Sequence, residues 1–156
     1  MKLQIQSPAF GYGQPIPVQY TGLGKDISPP LEWSGVPAQA RSLALVVEDP
    51  DAPAGLWTHW LVYGLSTQTT GLAEDQPKTQ YLAGGARQGL NDFRRLGYGG
   101  PLPPPGPAHR YFFRLYALDC ALEQPPGLVR SKLLAAMEGH VLAEAAWMGT
   151  FQRVRA

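Results

Sequence analysis

Apolar residues fall along this chain in short alternating runs, punctuated by prolines and glycines. Leu3 to Ser7 alternates and predicts an edge strand ended by Pro8, and Ile16 to Tyr20 predicts a second, shorter one. Ser28-Pro29-Pro30-Leu31-Glu32-Trp33 reads as extended, because a residue before proline is pushed toward β or polyproline geometry. Ser42 to Asp49 carries Leu43, Leu45, Val47 and Asp49 on one face with Ala44 and Val46 on the other, which predicts a strand buried on both sides. Thr58 to Leu65 follows, with His59, Leu61 and Tyr63 sharing one face and Trp60 and Val62 the other. A third strong strand, Arg110 to Asp119, extends a face begun by His109: His109, Tyr111, Phe113 and Leu115 oppose Phe112, Arg114, Tyr116 and Leu118.

Between the second and third strong strands, Tyr81-Leu82-Ala83 and Ala86-Arg87 predict weak strands. The segment from Gly97 to Pro107 holds so many glycines and prolines that it reads as an ordered, irregular loop, and loops of such length usually serve function. After Pro125-Pro126 the period changes. Leu128, Leu133, Leu134, Met137, Val141, Leu142 and Ala145 fit a helical stripe opened near Ser131 and closed by Gly149, with Gly139 as a point of division. The expected architecture is mainly β: an antiparallel β-sandwich with one or two C-terminal helices, formed by residues 1–156 as a single domain.

Composition narrows the functions open to such a fold. Thirteen basic residues against twelve acidic give a net charge of +1, which is no electrostatic footprint for nucleic acid or an anionic membrane surface. An anion must therefore be held by a local site. No run approaches the roughly 18 apolar residues of a membrane span, and the start lacks a secretory pattern, so a cytoplasmic location is expected. Cys120, the single cysteine, rules out an intramolecular disulfide and reads as a buried, inert thiol.

Strand direction supplies the candidate chemistry. If the strands ending at Asp49 and beginning at His59 pair as antiparallel neighbours, both residues lie at one edge of the sheet, under the turn Pro50 to Trp57. His109 also opens a strand, and Tyr111 points the same way two residues on. Two imidazoles, a phenol and a carboxylate can then line one cavity. Each neutral imidazole would donate one N–H to an anion, as would the phenol, and Gly99 or Gly100 would admit backbone N–H groups. Asp49 or Asp51 would accept from the far nitrogen of a histidine and fix its tautomer. Taken singly, each residue also has a plainer explanation: a histidine closing a strand, an Asp-Pro-Asp turn bonded to its own backbone, a core tyrosine.

Ser7-Pro8-Ala9-Phe10, Ile16-Pro17, Ile27-Ser28-Pro29-Pro30-Leu31-Glu32-Trp33, Asp49-Pro50-Asp51-Ala52-Pro53, Thr58-His59-Trp60, Gly97-Tyr98-Gly99-Gly100-Pro101, Pro103-Pro104-Pro105-Gly106, His109-Arg110-Tyr111-Phe112 and Gly139-His140 run nearly end to end. In these strings the chain resembles bacterial and archaeal members of the phosphatidylethanolamine-binding protein family, which includes Raf kinase inhibitor protein. The resemblance implies a sandwich with a small anion cavity at one end, formed here by Asp49, Pro53, His59, Gly100, His109 and Tyr111. Asp51, Trp57, Gly99 and Pro101 would stand at its rim. It further implies ligands such as phosphate, acetate or phosphorylethanolamine, a kinase or other protein partner in some members, and a homodimer.

Leu23 and Asp26 depart from the family pattern before Ile27, as Gly64-Leu65-Ser66 does after the His59 strand; these changes are expected to alter the rim without touching the pocket. His140 is expected to be structural. The function expected is a binding protein for a phosphate-bearing small molecule or phosphorylated side chain, without cofactor or metal. The alternative is a metal-dependent or acid–base hydrolase built on the two histidines.

Overall fold

The computed structural model describes residues 1–154. Its strands are β1 (Gln4–Gln6), β2 (Leu31–Ser34), β3 (Ser42–Asp49), β4 (Trp57–Leu65), β5 (Gly71–Leu72), β6 (Arg87–Gln88), β7 (His109–Leu118) and β8 (Val141–Phe151), with one helix, α1 (Arg130–Met137), before the last. They form a three-stranded sheet in the order β1-β2-β5 and a five-stranded sheet in the order β6-β4-β3-β7-β8, and every neighbouring pair is antiparallel.

The alternation of the three strong strands explains the layering. Leu43, Leu45, Val47, Val62, Phe113 and Leu115 pack toward Ile5, Leu31 and Trp33 of the small sheet. Ala44, Val46, Leu61, Tyr63 and Leu118 face the other way and meet Leu133 and Met137 of α1. All eight residues of β3 are buried, as expected for a central strand covered on both faces. Glu48 is carried inside with them and is held by Arg114 Nε at 3.1 Å and Arg130 Nε at 2.9 Å.

Three local expectations are corrected. Ile16 to Tyr20 is not a strand: Val18–Tyr20 turns as a 3₁₀ helix, with Tyr20 N–H donating to Pro17 O at 3.0 Å. Among the weak strands, Ala83–Gly85 is a 3₁₀ turn, and pairing with β4 begins only at Arg87. The helical stripe ends early. α1 stops at Met137, Gly139 follows at φ +81°, and Val141–Phe151 is a strand paired along β7 from Leu118 to His109. An alanine-rich stretch favours helix locally, but the open edge of β7 offers a full ladder, and pairing overrides propensity. Gly149 is therefore no helix stop. A Cβ there would lie 2.6 Å from both Ile16 and Phe10, so the close packing over β8 requires glycine.

The pairing of β3 with β4 shifts twice. Leu43 faces Leu65 and Leu45 faces Val62, so β4 has one residue more than β3 there, taken up at Gly64 with φ +69°. Val47 faces Trp60 while Glu48 faces Thr58, leaving His59 as an extra residue on β4. This second bulge matters for function.

Candidate functional site

Strict alternation would put His59 beside Leu61 and Tyr63, beneath α1. The bulge turns it to the opposite face, where its ring meets Tyr111 edge-on at 5.2 Å between centroids. His109 opens β7 and lies nearly parallel to the same phenol, 6.5 Å away at 23°. Asp49 closes β3 behind them, 3% exposed. The three strand ends thus converge as their directions predict, although His59 arrives by an irregularity rather than by parity.

Each polar group in this cluster has a defined inner partner. Asp49 Oδ1 accepts the Asp51 N–H at 2.7 Å, an Asx turn that shapes the proline loop. Asp49 Oδ2 accepts from His109 Nδ1, also at 2.7 Å. Of the two aspartates that could orient a histidine, it is Asp49 that does so. Asp51 is bound instead to Arg110, accepting its backbone N–H at 3.0 Å and its Nε and Nη2 at 2.9 Å. The Arg110 hydrogen bonds hold the Asp51 carboxyl down at about 2. Asp51 locks the loop to the start of β7 and does not line the cavity.

His59 donates from Nδ1 to Gly99 O at 2.6 Å, and Gly99 N–H returns to His59 O at 2.9 Å. Burial pushes the pKa of His59 down, against the pull of the Gly99 carbonyl and the charges of Asp49, Asp92 and Asp26. The Tyr111 hydroxyl is pushed up, first by burial and then by Asp49 and Asp51, so it stays protonated.

These rings close the base of a cavity of about 310 Å³. Its polar residues are Asp49, His59, His109 and Tyr111; Ala52, Pro53, Ala54, Trp57, Phe93, Leu102, Pro103 and Pro104 form apolar walls. Pro53 and Trp57 are thus among the residues that the fold brings to the cavity. Gly99, Gly100 and Pro101 do not line the cavity. The Gly100 N–H, expected to reach an anion, donates to Asp26 Oδ1 at 2.6 Å, and Lys78 Nζ holds the same aspartate through its backbone oxygen at 2.8 Å. Asp26 therefore braces the glycine loop beside the pocket without lining the cavity itself. A Cβ on Gly100 would lie 2.5 Å from Tyr20 O, so the bracing also fixes glycine there.

Phe93 went unforeseen. It packs edge-on against both Trp57 (5.5 Å) and His59 (5.6 Å), on a loop held by Asn91, whose Nδ2 donates to Gly97 O at 3.0 Å. The signal in the sequence is slight: one aromatic between asparagine and arginines in a glycine-rich stretch.

Two other places invite comparison. A groove of about 600 Å³ runs between β1 and β8, but its charged groups, Lys2, Glu32 and Glu144, do not include a histidine. Asp119, Cys120 and His140 form the one group of three metal-type donors among the described residues, with donor atoms within 4.8 Å of one another. There His140 Nδ1 is already bonded to Asp119 Oδ1 at 2.7 Å, and Cys120 is only partly buried. No helix among the described residues is long and apolar enough to cross a membrane.

Comparison with known proteins points to one family. The family described as "Phosphatidylethanolamine-binding protein" matches residues 6–152. A UPF0098 protein of Methanothermobacter thermautotrophicus is 50% identical over 151 residues, covering 97% of this chain and 99% of that one. A UPF0098 protein of Aquifex aeolicus is 46% identical, covering 97% of this chain and 89% of its own length. Among solved structures, a phosphatidylethanolamine-binding protein homologue from Chlamydia trachomatis superimposes with a TM-score of 0.89 at 46% identity, covering 97% and 98% of the two chains. YbcL of E. coli, described as a member of the mammalian family, gives 0.91 at 29% identity over 98% and 99%.

Proposed function

The chain belongs to the phosphatidylethanolamine-binding protein family, and from that premise we propose that it is a binding protein whose cavity holds a small phosphate-bearing anion. The ligand is a phosphorylethanolamine-like head group or a phosphorylated side chain. One observation carries the reading: His59, His109 and Tyr111 meet at the base of a cavity of about 310 Å³, with Asp49 2.7 Å behind His109. A volume at the small end of ligand sites suits a head group rather than a long substrate. The carboxylate holds His109 through Nδ1, which leaves the outer nitrogen of the ring to meet a phosphoryl oxygen.

Holding rather than converting the ligand is supported by the lining. No serine, threonine or cysteine stands in the cavity wall to act as a nucleophile. Nor do the two pocket imidazoles belong to a group of three metal-type donors among the described residues.

Calorimetric titration with phosphorylethanolamine tests the reading. His109→Ala is expected to weaken binding by roughly 1–3 kcal/mol, the scale of a charge-assisted hydrogen bond. Equal affinities for the variant and the unaltered protein would place the anion elsewhere.

A further inference from the structure

The two pocket imidazoles each commit Nδ1 to a partner within the protein. A carbonyl oxygen only accepts, so the contact at 2.6 Å between His59 Nδ1 and Gly99 O puts a proton on Nδ1. The Asp49 carboxylate does the same for His109 Nδ1 at 2.7 Å. A neutral imidazole has one N–H, and in both rings it is spent on the inner side. Each outer nitrogen, Nε2, then presents a lone pair.

Phosphoryl oxygens are acceptors too. A fully ionised phosphate would meet two opposing lone pairs, with the Tyr111 hydroxyl the single donor among the three rings. In a largely buried site that mismatch is costly. Protons remove it, and the two rings call for them differently. His59 is 3% exposed and touches a carbonyl, not a carboxylate. Asp26, Asp49 and Asp92 act on it only at a distance, and burial keeps it neutral. Its Nε2 therefore needs a donor from the ligand. His109 touches the Asp49 carboxylate directly, while Asp51, which also faces it, is paired to Arg110. A proton shared between His109 Nε2 and an ionised oxygen would be balanced by the Asp49 carboxylate on the far side of the ring.

Resting on the anion reading above, we propose that the pocket takes its anion together with a proton, and therefore selects phosphomonoesters over phosphodiesters. A monoester has a second pKa of about 6 and can carry a P–O–H in the pocket at neutral pH. A diester has no such hydrogen. His59 is the specificity-determining residue, accepting the P–O–H at Nε2, while His109 donates to a P–O⁻ oxygen. The protons come from solvent, and no covalent bond is made or broken.

Methyl phosphate and dimethyl phosphate, titrated calorimetrically into the full chain in buffers of differing ionisation enthalpy, test this. Methyl phosphate is expected to bind with net proton uptake above its second pKa, its affinity falling by about tenfold per pH unit for each proton taken up. Dimethyl phosphate is expected to bind at least about tenfold more weakly, the scale of one unsatisfied buried acceptor. Proton-neutral binding of methyl phosphate, or equal affinities for the two esters, overturns the selectivity and leaves the anion site standing. Failure of both esters to bind overturns the anion site as well. His59→Gln, checked for folding by circular dichroism, can turn an amide N–H toward the ligand and is expected to narrow the preference; an unchanged ratio removes His59 from the role.

Discussion

β7 has a histidine–aspartate pair at each end. At its start His109 meets Asp49, and just past its finish Asp119 meets His140; both contacts are 2.7 Å from Nδ1 to a carboxylate oxygen. Nothing in the bond length separates them. Their surroundings do: the side chains of the first pair are 11% and 4% exposed, those of the second 46% and 45%. Water competes for every hydrogen bond of the outer pair and screens its charge, so that pair ties a strand to a turn and little more. The inner pair sits under a cavity, where a carboxylate without its partner would be stranded. Burial, not geometry, turns the same two residue types from a clasp into a site.

The sharpest way to break this contrast is to truncate one aspartate from each pair. Asp49→Ala is expected to cost about 3–5 kcal/mol in urea unfolding, because it strands the His109 N–H and opens the Asx turn. Asp119→Ala should cost about 1 kcal/mol or less. Similar losses would mean that exposure does not distinguish the two ends. A gentler comparison follows ligand affinity. Asp49→Asn keeps the size but removes the negative charge behind His109, and is expected to weaken phosphorylethanolamine binding roughly tenfold, about 1.4 kcal/mol. His140→Ala should leave that affinity unchanged, and a matching loss there would tie the two ends together.

The smallest effect concerns Asp51, the lock between the loop and β7. Its carboxyl titrates at about 2 in the fold, against an ordinary 3.8. The unfolded chain therefore takes up this proton first as pH falls, and the stability the lock provides is present above about 3.8 and lost on the way down to about 2. Arg110 is half exposed, so the loss is expected to stay below about 1 kcal/mol. Thermal melts of the unaltered protein and Asp51→Asn across that window check it; the variant should lack this component, and parallel curves would assign the acid sensitivity elsewhere.

Much of this was legible before any coordinates. Parity along β3 and β7 sorted both faces of the large sheet correctly, and strand direction brought Asp49, His59, His109 and Tyr111 to one edge. Other features were not legible, each for a physical reason. His59 faces the pocket because β4 has one residue more than β3 at that point, and period-two reading assumes equal counts. Val141–Phe151 is a strand because β7 had an open edge, a condition set by the rest of the sheet rather than by the alanines of the segment. The inward direction of the His59 N–H depends on Gly99 O, a backbone oxygen that only the folded loop brings to the ring, and the choice of Asp49 over Asp51 for His109 depends on Arg110 taking Asp51. Asp26 belongs with these: only the folded loop shows that it takes the Gly100 N–H.

The bulge at His59 also bears on how the pocket can change over generations. Its aim is written in the length of β4, not in composition. Exchanges among Leu61, Tyr63 and Val62 alter packing but leave the offset between the strands in place. Loss of a single codon at Thr58 would cancel the offset, bring His59 opposite Glu48 and swing the imidazole beneath α1, with every hydrophobic residue of the core still present. The site is robust to misspelling and fragile to miscounting.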